Sequence, residues 1–159
     1  MAKIERKYFA HFLNTAKKNE PANYERLGKD LEEYKAELNA KVERRTNIFG
    51  KQSITISGYE KSAVVDTYYA EPGTALYERL QSIIDEGLIL EDLQTDMVEV
   101  KLWDMQPDGS YPAVMEECYI EVTGYGGDTS GYQIPFTLHF TGNKVQGKFS
   151  AGTKIFTIA

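Results

Sequence analysis

The residues able to do chemistry in this sequence are few, and their spacing does not suit it. Cys118 is the only cysteine. It shares the alternating register of Ile120 and Val122, so a buried small hydrophobe is expected rather than a nucleophile, and no intrachain disulfide can form. His11 and His139 are the only histidines; neither has a second ligand at metal spacing, and no metal or other cofactor is expected. Carboxylates come as adjacent pairs, Glu32-Glu33, Asp85-Glu86, Glu91-Asp92 and Glu116-Glu117. Neighbours on a strand or helix point apart, so these read as a solvated acidic surface rather than an acid–base dyad. The run Gly124-Tyr-Gly-Gly-Asp-Thr-Ser-Gly131 lacks the Lys-Ser/Thr of a phosphate loop and precedes a strand pattern, not a helix. No enzyme is expected from these residues.

The chain that must position them is 159 residues long, 42% hydrophobic and 26% charged, which fits one domain over 1–159 with a real core. No run is apolar enough to cross a membrane. The opening residues are charged without a sustained apolar stretch, so no secretion signal is expected and synthesis and use inside a cell are expected. A net charge of −6 and a pI near 5.0 oppose a protein that grips nucleic acid, because such proteins set Lys and Arg on phosphates. Touching DNA without gripping it remains compatible with that balance.

The strongest pattern is Glu117 to Phe140, two alternating apolar runs about the glycine-rich loop: Cys118, Ile120 and Val122, then Tyr132, Ile134, Phe136, Leu138 and Phe140. Period two predicts a large β-hairpin. Pro135 has no N–H to donate, so an edge position or a bulge is expected there. Upstream, residues 1–23 carry Tyr8, Phe9 and Phe12 without regular pattern and end in the breaker cluster Asn19-Glu-Pro-Ala-Asn23. They read as an extended N-terminal arm that packs on its own domain or docks on another copy. Tyr34 to Val42 has helix-forming residues but alternates apolar and polar positions, and the alternation predicts a strand.

Asn47-Ile-Phe-Gly50 reads as a turn, and Gln52 to Glu60 as a strand in which Gly58 marks a bulge. One helix is expected over about residues 74–87, with Thr74 as N-cap, the stripe Leu76, Tyr77, Leu80, Ile83 and Ile84, and Gly87 as the stop. Asp85 and Glu86 sit at the end of that helix where its dipole disfavours anions; they are plain surface or charges kept for facing something. Met97 to Trp103 is a strand, Gln106-Pro-Asp-Gly-Ser110 a turn, Gly142-Asn143 another turn, and strands follow to the end. The fold class is therefore mainly β: a sandwich or barrel of about seven or eight strands with one packed helix. Its sheet edges must be capped or used.

In order and spacing, Asn47-Ile-Phe-Gly50, Gly58-Tyr-Glu60, Val65-Asp-Thr-Tyr-Tyr-Ala70, Leu76-Tyr-Glu-Arg-Leu-Gln81, Glu121-Val-Thr-Gly-Tyr-Gly-Gly-Asp128 and Ile134-Pro-Phe-Thr-Leu-His-Phe-Thr-Gly142 resemble the tail tube (major tail) protein of long-tailed phages and related prophages. The likeness runs from about Asn23 to the C-terminus. It implies a non-enzymatic virion protein, assembled in the host bacterial cytoplasm. Hexameric rings would stack head to tail into a hollow tube, with other tail proteins at its ends and double-stranded DNA passing through without a specific site. An acidic, hydrated bore would keep DNA moving, with Glu37, Glu43, Glu99, Glu121, Thr137 and His139 as candidates to face it. The arm and the loops around 46–53 and 63–69 supply candidates for inter-ring contact: Tyr8, Phe9, Phe12, Phe49, Tyr68 and Tyr69. The inner tube of a contractile tail or a phage-like bacteriocin shares this fold and is the alternative. From residues alone, two further classes stay open: a monomeric ligand-binding β module with Tyr125, Tyr132 and Trp103 as an aromatic platform, and a small hydrolase built on a carboxylate pair.

Overall fold

The computed structural model describes residues 2–31 and 33–159. It is built on β8 (Tyr111–Val122) and β11 (Phe136–Ser150), which pair antiparallel along nearly their whole length. Outside β8 lie β7 (Gln94–Lys101), β1 (Phe9–Asn14) and β2 (Tyr24–Arg26). Outside β11 lie β6 (Ser62–Val65) and β3 (Ala36–Glu37) against its first half, and β12 (Ile155–Ile158) against its second. The result is one eight-stranded antiparallel sheet. The helix α1 (Ala75–Glu86) packs on one face. Two small hairpins stand outside the sheet: β4 (Ala40–Thr46) with β5 (Gln52–Tyr59), and β9 (Gly126–Asp128) with β10 (Gly131–Gln133).

Alternation sends the strand side chains into two cores. Leu13, Met97, Cys118, Ile120, Val65, Phe136 and Leu138 meet Leu76, Leu80 and Ile83 of α1. On the opposite face Ala10, Phe12, Tyr24, Val98, Val100, Ala113 and Phe149 pack together, with the Phe12 and Phe149 rings 4.5 Å apart. The second core exists because β8 and β11 are bent. Between Phe140↔Cys118 and Lys144↔Glu116 the register slips, and Gly142 takes φ 89° in the extra loop of backbone, a conformation a side chain would oppose. Gly142-Asn143 is thus a bulge within one long strand, not the turn expected from its residues.

The N-terminal segment is also corrected. Phe9 to Asn14 is not an arm but an internal strand between β2 and β7. Its pattern gave no period because Ala10, His11, Phe12 and Leu13 are all buried, two toward each core. The expected turns at Asn47–Gly50 and Gln106–Ser110 are present, as is the bulge beside Gly58, where Ser57 is the extra residue of β5. Tyr34 to Val42 is extended, interrupted between β3 and β4 at Asn39. The helix has its expected ends: the Thr74 hydroxyl accepts from the Tyr77 N–H at 3.4 Å, and Gly87 is left-handed at φ 61°, ψ 43°. Asp85 and Glu86 stand at its C-terminal end, where each charge opposes the dipole by about 0.3–1 kcal/mol.

Leu80 is fully buried between α1 and the sheet. Leu80→Ala should lower unfolding free energy by about 2–5 kcal/mol, measured by urea denaturation of the subunit.

Candidate functional site

No group of three or more His, Cys, Asp or Glu placed to hold a metal occurs among the described residues, and no described helix is long and apolar enough to cross a membrane. Among the described residues the tertiary structure assembles instead a largely buried ion cluster, an exposed acidic sheet face and a hairpin that pairs with no other strand.

The ion cluster joins residues far apart in sequence. Lys61 Nζ donates to Glu99 Oε1 at 2.9 Å and to Glu116 Oε1 at 2.8 Å, and it lies 4.5 Å from the Phe140 ring centre. Buried His11 sits beside Glu99, with Nδ1 3.4 Å from Oε2; the alignment falls short of a proper hydrogen bond. Arg6 Nη2 lies 2.9 Å from the other ring nitrogen, Nε2. A guanidinium can only donate, so Nε2 accepts and the proton belongs on Nδ1, toward Glu99. Burial pushes the Glu99 carboxyl up, but His11 and Lys61 beside it outweigh that and hold it down at about 2. Glu99 and Glu116 thus share one lysine, Glu116 being buried and Glu99 half-buried. Sequence neighbours gave no sign of it, because Lys61, Glu99 and Glu116 come from three strands or their flanks.

Glu99, in this cluster, is on the helix side of the sheet, apart from the other bore candidates. Glu37, Glu121, Thr137 and His139 lie together on the opposite face, through the pairs Glu37↔Ser62, Ser62↔His139 and Thr137↔Glu121. Thr137 is buried within it. The His139 imidazole and the Glu121 carboxylate lie 2.6 Å apart and are about half exposed. Glu117 shares this face, and its strand positions on β3, β6, the first half of β11 and the second half of β8 hold no lysine or arginine. Glu43 is elsewhere, on the free hairpin.

That hairpin, β4–β5, is exposed along nearly all of both strands, and its strands pair only with each other. Val42↔Ile56 and Arg44↔Ile54 are cross-strand partners, so Val42, Ile54 and Ile56 share one face with Arg44, and Glu43, Arg45, Ser53 and Thr55 form the other. At its tip Asn47 Oδ1 accepts from the N–H groups of Phe49 and Lys51 at 2.9 and 3.1 Å. This turn displays Ile48 at 96% and Phe49 at 84% exposure. At its root Asn39 Nδ2 donates to Glu60 O and Ser62 Oγ at 3.0 and 3.1 Å, and the next residue is the clamped Lys61.

The other inter-ring candidates divide. Tyr8 is exposed and Tyr69 half-buried. Phe9 is half-buried against His11 and Trp103. Phe12 and Tyr68 are core residues at 4% and 3% exposure, packed within their own chain. The aromatic platform is not assembled either: Trp103 lies by Phe9, while the Tyr132 hydroxyl donates to Gln81 of α1 at 2.8 Å. Tyr132 belongs to the small β9–β10 hairpin rather than to the apolar run of Phe136 to Phe140. Glu32, of the carboxylate pair Glu32-Glu33, lies outside the described residues.

No protein-family model matches the sequence, and no curated protein matches it. Among solved structures the chain is similar to the SPP1 tail tube, determined as a hybrid of solid-state NMR and cryo-EM. The TM-score is 0.65 at 15% identity over 91% of this chain and 78% of that one. It also matches a chain of the six-fold symmetrised baseplate of the anti-feeding prophage at a TM-score of 0.49 and 8% identity, over 94% of this chain and 98% of that one. The chain has a phage tail-tube-like fold: mainly β, one large antiparallel sheet and one packed helix.

The ion cluster sets an acid limit. The Glu99 carboxyl is held below its ordinary value of 4.5, at about 2. Its stabilising contribution is therefore complete above about pH 4.5 and lost as pH falls toward 2. Glu99→Gln should flatten the acid limb of stability against pH in that window. Lys61→Met, which strands the buried Glu116 carboxylate and removes one partner of the half-buried Glu99, should cost about 3–5 kcal/mol at neutral pH, read by denaturant titration.

Proposed function

We propose that this chain is the repeating subunit of a tail tube, in which six copies close into a ring and rings stack head to tail around a bore that conducts double-stranded DNA. The observation that carries the reading is the bare β4–β5 hairpin on a tail-tube-like fold. An isolated two-stranded hairpin is marginal in water, and this one displays Val42, Ile48, Phe49, Ile54 and Ile56 to solvent. Such a surface is completed by association. A heterologous contact that closes makes a ring, and one that does not close makes a filament. The outer edge of β12 and the short strands β2 and β3 are the sheet borders left for neighbouring copies.

The sheet face of Glu37, Thr137, Glu121 and His139 is the proposed wall of the bore. Its carboxylates repel the duplex, whereas lysines there would trade counterions for phosphate contacts and hold the DNA. The chain acts as a structural virion protein in the tail, joined to other tail proteins at the tube ends, and performs no catalysis.

Electron microscopy of the concentrated protein should show six-fold rings or tubes; a strictly monomeric protein at every concentration and salt would remove the reading. Phe49→Ala and Ile54→Ser should abolish these assemblies while changing subunit stability by no more than about 0.5 kcal/mol. Glu37→Lys with Glu121→Lys should slow DNA ejection and steepen its salt dependence, and an unchanged rate would move the bore to another face.

A further inference from the structure

The charge of the hairpin is opposite to that of the body carrying it. Between Ala40 and Tyr59 stand Lys41, Arg44, Arg45 and Lys51 against Glu43 alone, a net +3 on a chain of net −6, which leaves −9 for the remainder. Among the described residues, the one carboxylate within ion-pair reach of these cations is Glu60, 3.3 Å from Lys41. Arg44, Arg45 and Lys51 thus have no acidic partner on the described surface of their own subunit, and the apolar side chains between them have no cover.

A second exposed apolar site carries the matching charge. Where α1 ends, Ile89 and Leu90 are 66% and 75% exposed, and the adjacent residues are Asp85, Glu86, Glu91 and Asp92, all at the surface. Lys17 reaches Glu86 at 3.7 Å and Lys18 reaches Glu91 at 2.5 Å. No lysine, arginine or histidine among the described residues pairs with Asp85 or Asp92. Two of these acids occupy the helix end that disfavours them, as expected of charges kept for a partner.

We propose that the hairpin of one copy seats tip-first on the α1 corner of a second copy, with Phe49 and Ile48 against Ile89 and Leu90. Arg44 on one face of the hairpin and Arg45 on the other flank the tip beside Asp85 and Asp92, which precede and follow that apolar pair in sequence. The contact is heterologous, so it propagates through an assembly rather than ending in a dimer. Its apolar centre and charged rim follow the ordinary anatomy of a protein interface. A duplex would use the cations but leave Ile48 and Phe49 in water. The other acidic groove, of Glu33, Glu37 and Asp66, holds Lys35 among its acids and offers only Val64 as apolar surface. The proposal rests on the tube reading for the existence of a second copy and adds which surfaces meet.

The test is a charge swap in the full chain, scored by the concentration at which assemblies appear in sedimentation and microscopy. Arg44→Glu/Arg45→Glu and Asp85→Lys/Asp92→Lys should each raise that concentration about tenfold or more, and the two together in one chain should restore it to within about threefold of the unsubstituted protein. Rescue cannot come from misfolded parents. If the unsubstituted chain assembles and the combined chain does no better than its parents, the pairing is wrong while the tube reading stands. A chain that never assembles overturns both. As an independent readout, Phe49→Cys with Leu90→Cys should give an oxidised ladder of oligomers, the native Cys118 being buried. Equal cross-linking by Phe49→Cys alone would mean tip-to-tip contact and overturn the pairing. So would an arginine-reversed hairpin that loses binding to a duplex oligonucleotide but assembles normally.

Discussion

The β8–β11 ladder is the constraint on which the rest of this molecule depends. Two long strands stay paired through a bulge at Gly142, and the bend lets one sheet bury side chains on both of its faces. The first half of the ladder faces α1 and the second half faces β1 and β2. The ladder resumes on the far side of the bulge, so the two cores are built on the same pair of strands. A fracture at the bulge would separate the core that holds the helix from the core that holds the N-terminal strand.

Stability inside the body and exposure outside it meet at one short stretch. Asn39, Glu60 and Ser62 tie the hairpin root with backbone and side-chain hydrogen bonds. Lys61, one residue further, is locked between Glu99 and Glu116. A half-buried cation held by two carboxylates, one of them buried, is a poor stabiliser compared with apolar packing, but it has one favoured geometry, and breaking it is severe. The chain thus leaves a rigid body at a defined point and angle before entering a hairpin that contributes little to the stability of that body. A long lever needs such a root when its tip must meet another copy.

Arg79 shows the same use of buried charge without an opposite charge. It is 2% exposed on the inner side of α1, and its guanidinium donates to the carbonyl oxygens of Ala16, Asp92 and Gln94. The loop after β1, the turn before β7 and the first residue of β7 are thereby drawn to the helix. Burial lowers its pKa from the ordinary value of 12.5. The residue stands on the apolar side of a helix whose hydrophobic stripe was plain, but a lone arginine in a stripe carries no mark of which carbonyls it will satisfy.

Local chemistry was legible in the residues. Thr74 and Gly87 delimit α1 because capping and a left-handed stop are decided within a few residues, and Asn47 to Gly50 and Gln106 to Ser110 turn for the same reason. Period two along Glu117 to Val122 and Phe136 to Phe140 already specified a paired, one-face-buried ladder. Composition specified an acidic body with little chemistry to offer. What only the tertiary structure decided is coverage. Phe9 to Asn14 became an internal strand because cores form on both sides of it, which erases the alternation by which a strand is recognised. Phe12 and Phe49 are the same residue type in sequence, yet one is buried against Phe149 and the other stands at a hairpin tip. Glu99 is clamped while Glu121 faces solvent, although both occupy polar-looking strand positions. Side-chain identity sets what a residue prefers; which face of which strand receives a second layer is a property of the whole chain, and it was fixed only when the sheet bent.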